Sequence, residues 1–291
     1  MTPVSRTTVS SYLRTTTMTT PSTRVDTSEQ NVWSKVPQVT LAFWIVKIFA
    51  TTVGETGGDA VSMTLNLGYV VSTVIFLAFF LVTLAAQVRS SRYHPIYYWL
   101  VVVATTTVGT TTSDMLDRTL KLGYIKSSII EFLLVLVVLF VWHRATGSIA
   151  VDRITTRKDE IFYWLTILVS NTLGTALGDF VATDAGLGFQ KGALVFAGLI
   201  VVIALAHRFT RISGAVLFWA AYVLTRPLGA TLGDTLTKPG AQGGLNFGRI
   251  TSSLVIAAGM VLLIATTSLR KRASVSPSAD GHSRREETAS S

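Results

Sequence analysis

The chain contains no cysteine, and only 14% of its 291 residues are charged. The first absence removes disulfides, thiolate metal sites and cysteine nucleophiles together. The second is far below the quarter or so usual in soluble domains. Histidine is scarce: His94, His143, His207 and His282 show no metal-ligand spacing. Any metal would therefore need oxygen ligands, which suits hard divalent cations. His143 and His207 fall in matching "HR" pairs at the basic ends of apolar runs and read as interface residues. There is no glycine loop ending in Lys-Ser/Thr, which argues against ATP drive within the chain. No nucleophilic serine elbow is visible either. Neither an enzyme nor a cofactor is expected.

What is abundant is apolar residue, 49% of the total, with a mean hydropathy of +0.50. It comes in long uncharged blocks, such as "YVVSTVIFLAFFLVTLAA" (69–86), "GALVFAGLIVVIALA" (192–206) and "TSSLVIAAGMVLLIATTSL" (251–269). These approach the roughly 20 residues that a membrane-crossing helix needs. They lack the polar stripe of a soluble core helix. The lipid bilayer is the first partner implied. The net charge of +9 sits mostly in the ends and between apolar blocks. That placement fits membrane topology rather than nucleic acid. Residues 1–35, rich in Ser and Thr, and the charged residues 270–291 are expected to be disordered tails.

Internal repetition is plain. The copies read "FWIVKIFATTVGETGGDAVSMTLNLGY", "YWLVVVATTTVGTTTSDMLDRTLKLGY", "YWLTILVSNTLGTALGDFVATDAGLGF" and "FWAAYVLTRPLGATLGDTLTKPGAQGGLNF". Each has an aromatic, Trp, nine residues, Gly, three residues, a small residue and Asp. The tryptophans are Trp44, Trp99, Trp164 and Trp219; the aspartates are Asp59, Asp114, Asp179 and Asp234. A second apolar run follows each Asp after a short polar link, and the fourth link is longer by about three residues. This resembles a family of bacterial multi-pass membrane proteins built from four tandem repeats, each with two transmembrane segments and a characteristic tryptophan. That family is named as a repeat of unknown function. The resemblance covers about residues 36–269 and implies eight spans but no activity.

The expected fold is an all-α integral membrane protein. It has eight transmembrane helices in four parallel two-helix repeats (about 38–93, 94–157, 158–211 and 212–269), odd helices inside and even helices outside. The first helix of each copy turns small and polar, as in "ATTTVGTTTSD" (104–114), which lipid cannot satisfy. Each also carries small-xxx-small: Gly54/Gly58, Gly109/Ser113, Gly174/Gly178 and Gly229/Gly233. That spacing lets helix backbones approach. Arginine in the inter-copy loops places both termini in the cytoplasm of a bacterial inner membrane. The tryptophans are then expected as anchors at the inner interface, with the aspartates about 22 Å away near the outer one.

The aspartates need compensation at the C-terminal end of a helix dipole. One route is to N-cap a short following helix. The other is a base at the start of the second span: Lys126, Lys191 or, allowing for the longer link, Arg249. The first copy has Val71 there and adds Glu55, four residues from Asp59. Two acids on one helix face call for a cation, a proton or a distant base. The expected cation or proton site is therefore Glu55, Asp59 and Thr51, with Asp114, Asp179 and Asp234 around it. Lys47, Arg226, Glu131 and Asn171 lie where they would couple or gate, since ionisable groups at such depth suggest a pathway. The leading function is a secondary transporter or exporter of a small cation or metal, coupled to protons. Against it stands a non-transporting scaffold, in which the same groups only fix helix register.

Overall fold

The computed structural model describes residues 35–90, 93–154 and 156–275, and these form helices and links only. Eight long helices follow one another: α1 (Leu41–Asp59), α2 (Gly68–Arg89), α3 (Pro95–Asp114), α4 (Tyr124–Thr146), α5 (Arg157–Asp179), α6 (Gly188–Phe209), α7 (Gly214–Thr237) and α8 (Arg249–Val275). Helix starts follow local chemistry. Thr40 caps α1 by accepting from the Phe43 N–H, and Thr156 caps α5 by accepting from Asp159. Pro95 opens α3, where its missing N–H costs nothing. Gly147, at φ 79°, ends α4. The N-terminal tail lies outside the described residues up to Ser34, and its last residue, Lys35, is held by Glu160 at 2.9 Å. At the other end, α8 runs on to Val275, into the segment expected to be a tail.

The Asp motif ends its helix in the same way in three copies. α1, α3 and α5 each widen into a five-residue π-helical turn directly after the aspartate: Ala60–Thr64, Met115–Thr119 and Phe180–Asp184. Asn66, Lys121 and Gly186, all at positive φ, then reverse the chain. In the fourth copy α7 runs straight to Thr237. A 3₁₀ turn at Gly240–Gln242 replaces the π turn, so the longer link is remodelled as expected.

The odd helices form a closed ring in which α1 packs on α3, α3 on α5, α5 on α7 and α7 on α1. Glycine makes this possible. A Cβ on Gly54 would collide with Thr106, one on Gly109 with Asn171, one on Gly174 with Arg226 and one on Gly229 with Thr51. Each glycine thus meets the same position of the next copy, and the odd helices run parallel in one repeating register. Hydroxyls stitch the seams: Thr106 donates to the Ala50 carbonyl (3.2 Å), Thr110 to Gly54 (3.1 Å) and Thr51 to Thr225 (3.2 Å).

The even helices lie outside. Each packs chiefly on the odd helix of the following copy: α2 on α3, α4 on α5, α6 on α7, and α8 back on α1. A copy is therefore not a compact helical hairpin. Six of the eight helices are long and apolar enough to cross a membrane; α1 and α3 are not among them. α1 carries Lys47, Glu55 and Asp59, and α3 is rich in threonine, which lowers their hydropathy. Both are shielded by neighbours, whereas large apolar side chains of α2, α4, α6 and α8 are exposed, as surfaces meeting lipid would be.

Candidate functional site

The ring stacks its polar residues in layers, because each odd helix presents the residues at Asp, four before, eight before and twelve before to the same axis. The first layer is Asp59, Asp114, Asp179 and Asp234. The next is Glu55, Thr110, Thr175 and Ala230. The third is Thr51, Thr106, Asn171 and Arg226. The fourth is Lys47, Val102, Ile167 and Tyr222. All of these except Val102, Ile167, Ala230 and Tyr222 are polar or charged, and all are buried.

Asp59, Asp114 and Asp179 do not cap the turns that follow them: none accepts a capping hydrogen bond from the turn's backbone. Bases hold them, but not the expected ones. Arg118 bonds its own copy's Asp114 at 2.8 Å and reaches Asp179 of the next copy at 3.2 Å. Lys238 does the same in the fourth copy, 3.2 Å from Asp234 and 3.0 Å from Asp59. Both stand four residues after their Asp, the spacing that puts two side chains on one helix face. That spacing was visible in "DMLDR" and "DTLTK" and is the signal sequence reasoning passed over. Lys126 and Lys191 are exposed and make no ion pair among the described residues. Arg249 lies 3.5 Å from Asp59 rather than beside Asp234. The helices carrying these groups associate between copies, so a partner sought within a copy is the wrong one.

The first copy's acids are therefore not short of cations. Glu55 receives Arg226 Nη2 at 2.9 Å. The same nitrogen donates to Thr110 and, at 2.7 Å, to Thr175. The Arg226 guanidinium thus binds the equivalent position of all three other copies and plugs the axis. α7 continues through Pro227, whose ring packs under Gly174.

One layer down, Lys47 is fully buried and meets no carboxylate among the described residues. Its ammonium lies 3.5 Å from Asn171 Oδ1 and 4.3 Å from the centre of the Tyr222 ring, a cation–π contact. Asn171 donates onward to Thr105 at 3.0 Å. Aromatic rings then close the ring's other end. Tyr98 and Tyr163 join hydroxyls at 2.6 Å, and Trp99, Trp164 and Trp219 pack edge to face among them. Those three tryptophans are buried. They are a shared aromatic floor, not exposed interface anchors, because the ring brings the four aromatic pairs together. His143 and His207 are exposed at the ends of α4 and α6. Glu131 is buried on α4, outside the ring.

The carboxylates of Glu55, Asp59 and Asp234 each place an oxygen within 4.8 Å of the others. An all-oxygen set of that size can hold a hard cation. Lys238, Arg226 and Arg249 stand on these carboxylates, although Asp59 Oδ1 is left without a partner, so a metal would compete first with the Lys238 ammonium, which touches both aspartates.

A family model for a repeat of unknown function, DUF347, matches the chain four times, at residues 42–93, 97–148, 162–213 and 217–273. The chain belongs to this family. The four DUF347 matches coincide with the four α-helical pairs and reach from α1 into α8. No curated protein and no solved structure matches the chain.

Proposed function

We propose that this DUF347 protein is a secondary transporter or exporter of a small cation or metal, coupled to protons. In this proposal it crosses a bacterial inner membrane eight times with both termini in the cytoplasm. What supports it above all is the buried polar file along the ring axis, from the Asp layer through Glu55 and Arg226 to Lys47 and Asn171. Ionisable side chains are costly at such depth and are retained where something passes or a proton moves. Placing α1 and α3 across the membrane, although they are not apolar enough alone, rests on their burial within the ring.

In this account the substrate cation enters among Glu55, Asp59 and Asp234 by displacing Lys238, the first residue beyond α7 in the remodelled link. Arg226 closes the path below by binding Glu55, Thr110 and Thr175 together. Lys47, with no acid of its own, is the group that would exchange a proton. The tyrosine and tryptophan floor seals the far side. A second reading, a scaffold that transports nothing, is favoured by the same ion pairs taken with the glycine contacts, which leave the inner helices tightly seated.

Cation flux in proteoliposomes separates them. Glu55→Gln with Asp59→Asn, normalised to folded protein by size-exclusion chromatography, should abolish flux while leaving a folded fraction. Undiminished flux in that double variant would remove the proposed site, and failure to fold would favour the scaffold. For orientation, Thr64→Cys should react with an impermeant thiol reagent in intact cells and Ser148→Cys should not; the reverse pattern inverts the proposed topology.

A further inference from the structure

A second carboxylate pair lies outside the axis. Glu131 is in the second turn of α4, 4% exposed, and neither of its oxygens has a hydrogen-bond partner. It shares its face with Ser127 and Ser128, four and three residues before it. The charge that bears on it is Asp117, in the π turn after α3. Asp117 is buried too; Ser113 Oγ lies 3.3 Å from one of its oxygens, the Ser127 hydroxyl also reaches it, and its Oδ1 is unpartnered. Ser128 Oγ is buried and unpartnered as well. The guanidinium nearest in sequence, Arg118, is committed to Asp114 and Asp179.

Buried oxygens are almost always satisfied, and an unpaired buried carboxylate is among the costliest groups a protein can hold. Here Asp117 Oδ1, Ser128 Oγ and both Glu131 oxygens all lack a partner, with no ion pair to either acid among the described residues. The repeat itself shows that the fold does not need these acids. At the place of Glu131 the first and third copies carry Phe76 and Phe196, and at the place of Asp117 the other copies carry Ser62, Ala182 and Thr237. The second copy alone puts two carboxylates at these places; the hydroxyls beside them are shared in part, since the first copy has Ser72 and Thr73 where the second has Ser127 and Ser128.

We infer that Asp117, Glu131 and Ser128, with Ser113 and Ser127 beside them, form a site for one hard divalent cation between the π turn after α3 and the wall helix α4. Two carboxylates balance a divalent charge, and oxygen-only donors select hard ions. The site is separate from the Glu55–Asp59–Asp234 cluster and holds whether or not the axis transports anything.

The test uses the full-length protein in detergent with Mn²⁺ or Ca²⁺ as the probe. Metal content after equilibration and the melting temperature with and without chelator are read for wild type, Glu131→Phe and Asp59→Asn. Glu131→Phe installs the residue its sister copies already accommodate, so it should fold. It should carry one equivalent less Mn²⁺ than wild type and lose the metal-dependent rise in melting temperature, while Asp59→Asn keeps that equivalent. If Glu131→Phe fails to fold, Ser128→Ala serves in its place and should bind Mn²⁺ about tenfold more weakly. Equal Mn²⁺ content in wild type and Glu131→Phe, or equal Mn²⁺ affinity in wild type and Ser128→Ala, would overturn the site. So would loss of the equivalent in Asp59→Asn, which would put the metal on the axis. A melting temperature that responds to acidification but not to metal would overturn it too, leaving a proton on the pair.

Discussion

The four seams of the ring are alike in backbone and unlike in charge. Between copies two and three, and between copies four and one, a base four residues past the Asp bridges to the next copy's Asp: Arg118 to Asp179 and Lys238 to Asp59. Between copies one and two, and three and four, Met63 and Thr183 stand at that position and no ion pair bridges the two aspartates among the described residues. The glycine contacts recur at all four seams, and threonine-to-carbonyl bonds cross one seam of each kind, between copies one and two and between copies four and one. Packing alone therefore suffices to close a seam, and the charges belong to an added twofold pattern laid over a fourfold frame. Arg226, present in one copy only, breaks even that pattern and serves all the others.

The largest effect is expected where that asymmetry concentrates. Arg226→Met leaves Glu55 buried without its cation, a cost of about 3–5 kcal/mol, and should sharply reduce the yield of folded protein. The double variant Arg226→Met with Glu55→Gln should recover much of it; failure to recover would show that Arg226 holds the ring by more than its charge. Next come the seams common to all copies. Gly174→Leu and Gly229→Leu drive side chains into Arg226 and Thr51 and should cost about 1–3 kcal/mol through overpacking. Gly57→Ala, whose Cβ would sit 4.0 Å from Ser253, should melt like the parent. Equal melting of all three would mean that the helices are not closely seated.

A smaller effect separates the two kinds of seam. Arg118→Met should destabilise less than Arg226→Met, because the Arg118 side chain is about one-third exposed and its pairs are partly screened. Met63→Leu and Thr183→Ala, at the unbridged seams, should be near neutral. If they cost as much as Arg118→Met, the bridges contribute nothing particular.

Much of the frame was legible beforehand. Four copies with invariant Trp, Gly and Asp spacing imply quasi-symmetry, and small-xxx-small on a polar helix implies an inner position. The longer "GDTLTKPGAQGG" link announced its own remodelling. The partners were not legible. Asp59 pairs with Lys238 and Glu55 with Arg226 because the last copy returns to the first, a closure no local window reveals. Sequence reasoning looked twelve residues downstream within a copy and found Lys126 and Lys191, which are exposed, since a copy's second helix leans on the next copy's first. The four-residue spacing of Arg118 and Lys238 was readable, and half of each bridge could have been found from it. The tryptophans misled for a related reason: singly each looks like an interface anchor, and only the closed ring buries them together.

That closure is the central claim, and the cysteine-free background allows it to be tested directly. Thr56 on α1 and Ser253 on α8 place their hydroxyl oxygens 2.7 Å apart, so cysteine sulfurs in their place need only a small shift to reach the roughly 2.05 Å of a disulfide. The double variant Thr56→Cys, Ser253→Cys should oxidise within one chain, giving a faster-migrating monomer on a non-reducing gel that dithiothreitol reverses. Free thiols in the oxidised, folded protein, or cross-linking only between chains, would contradict a ring in which the fourth copy closes on the first.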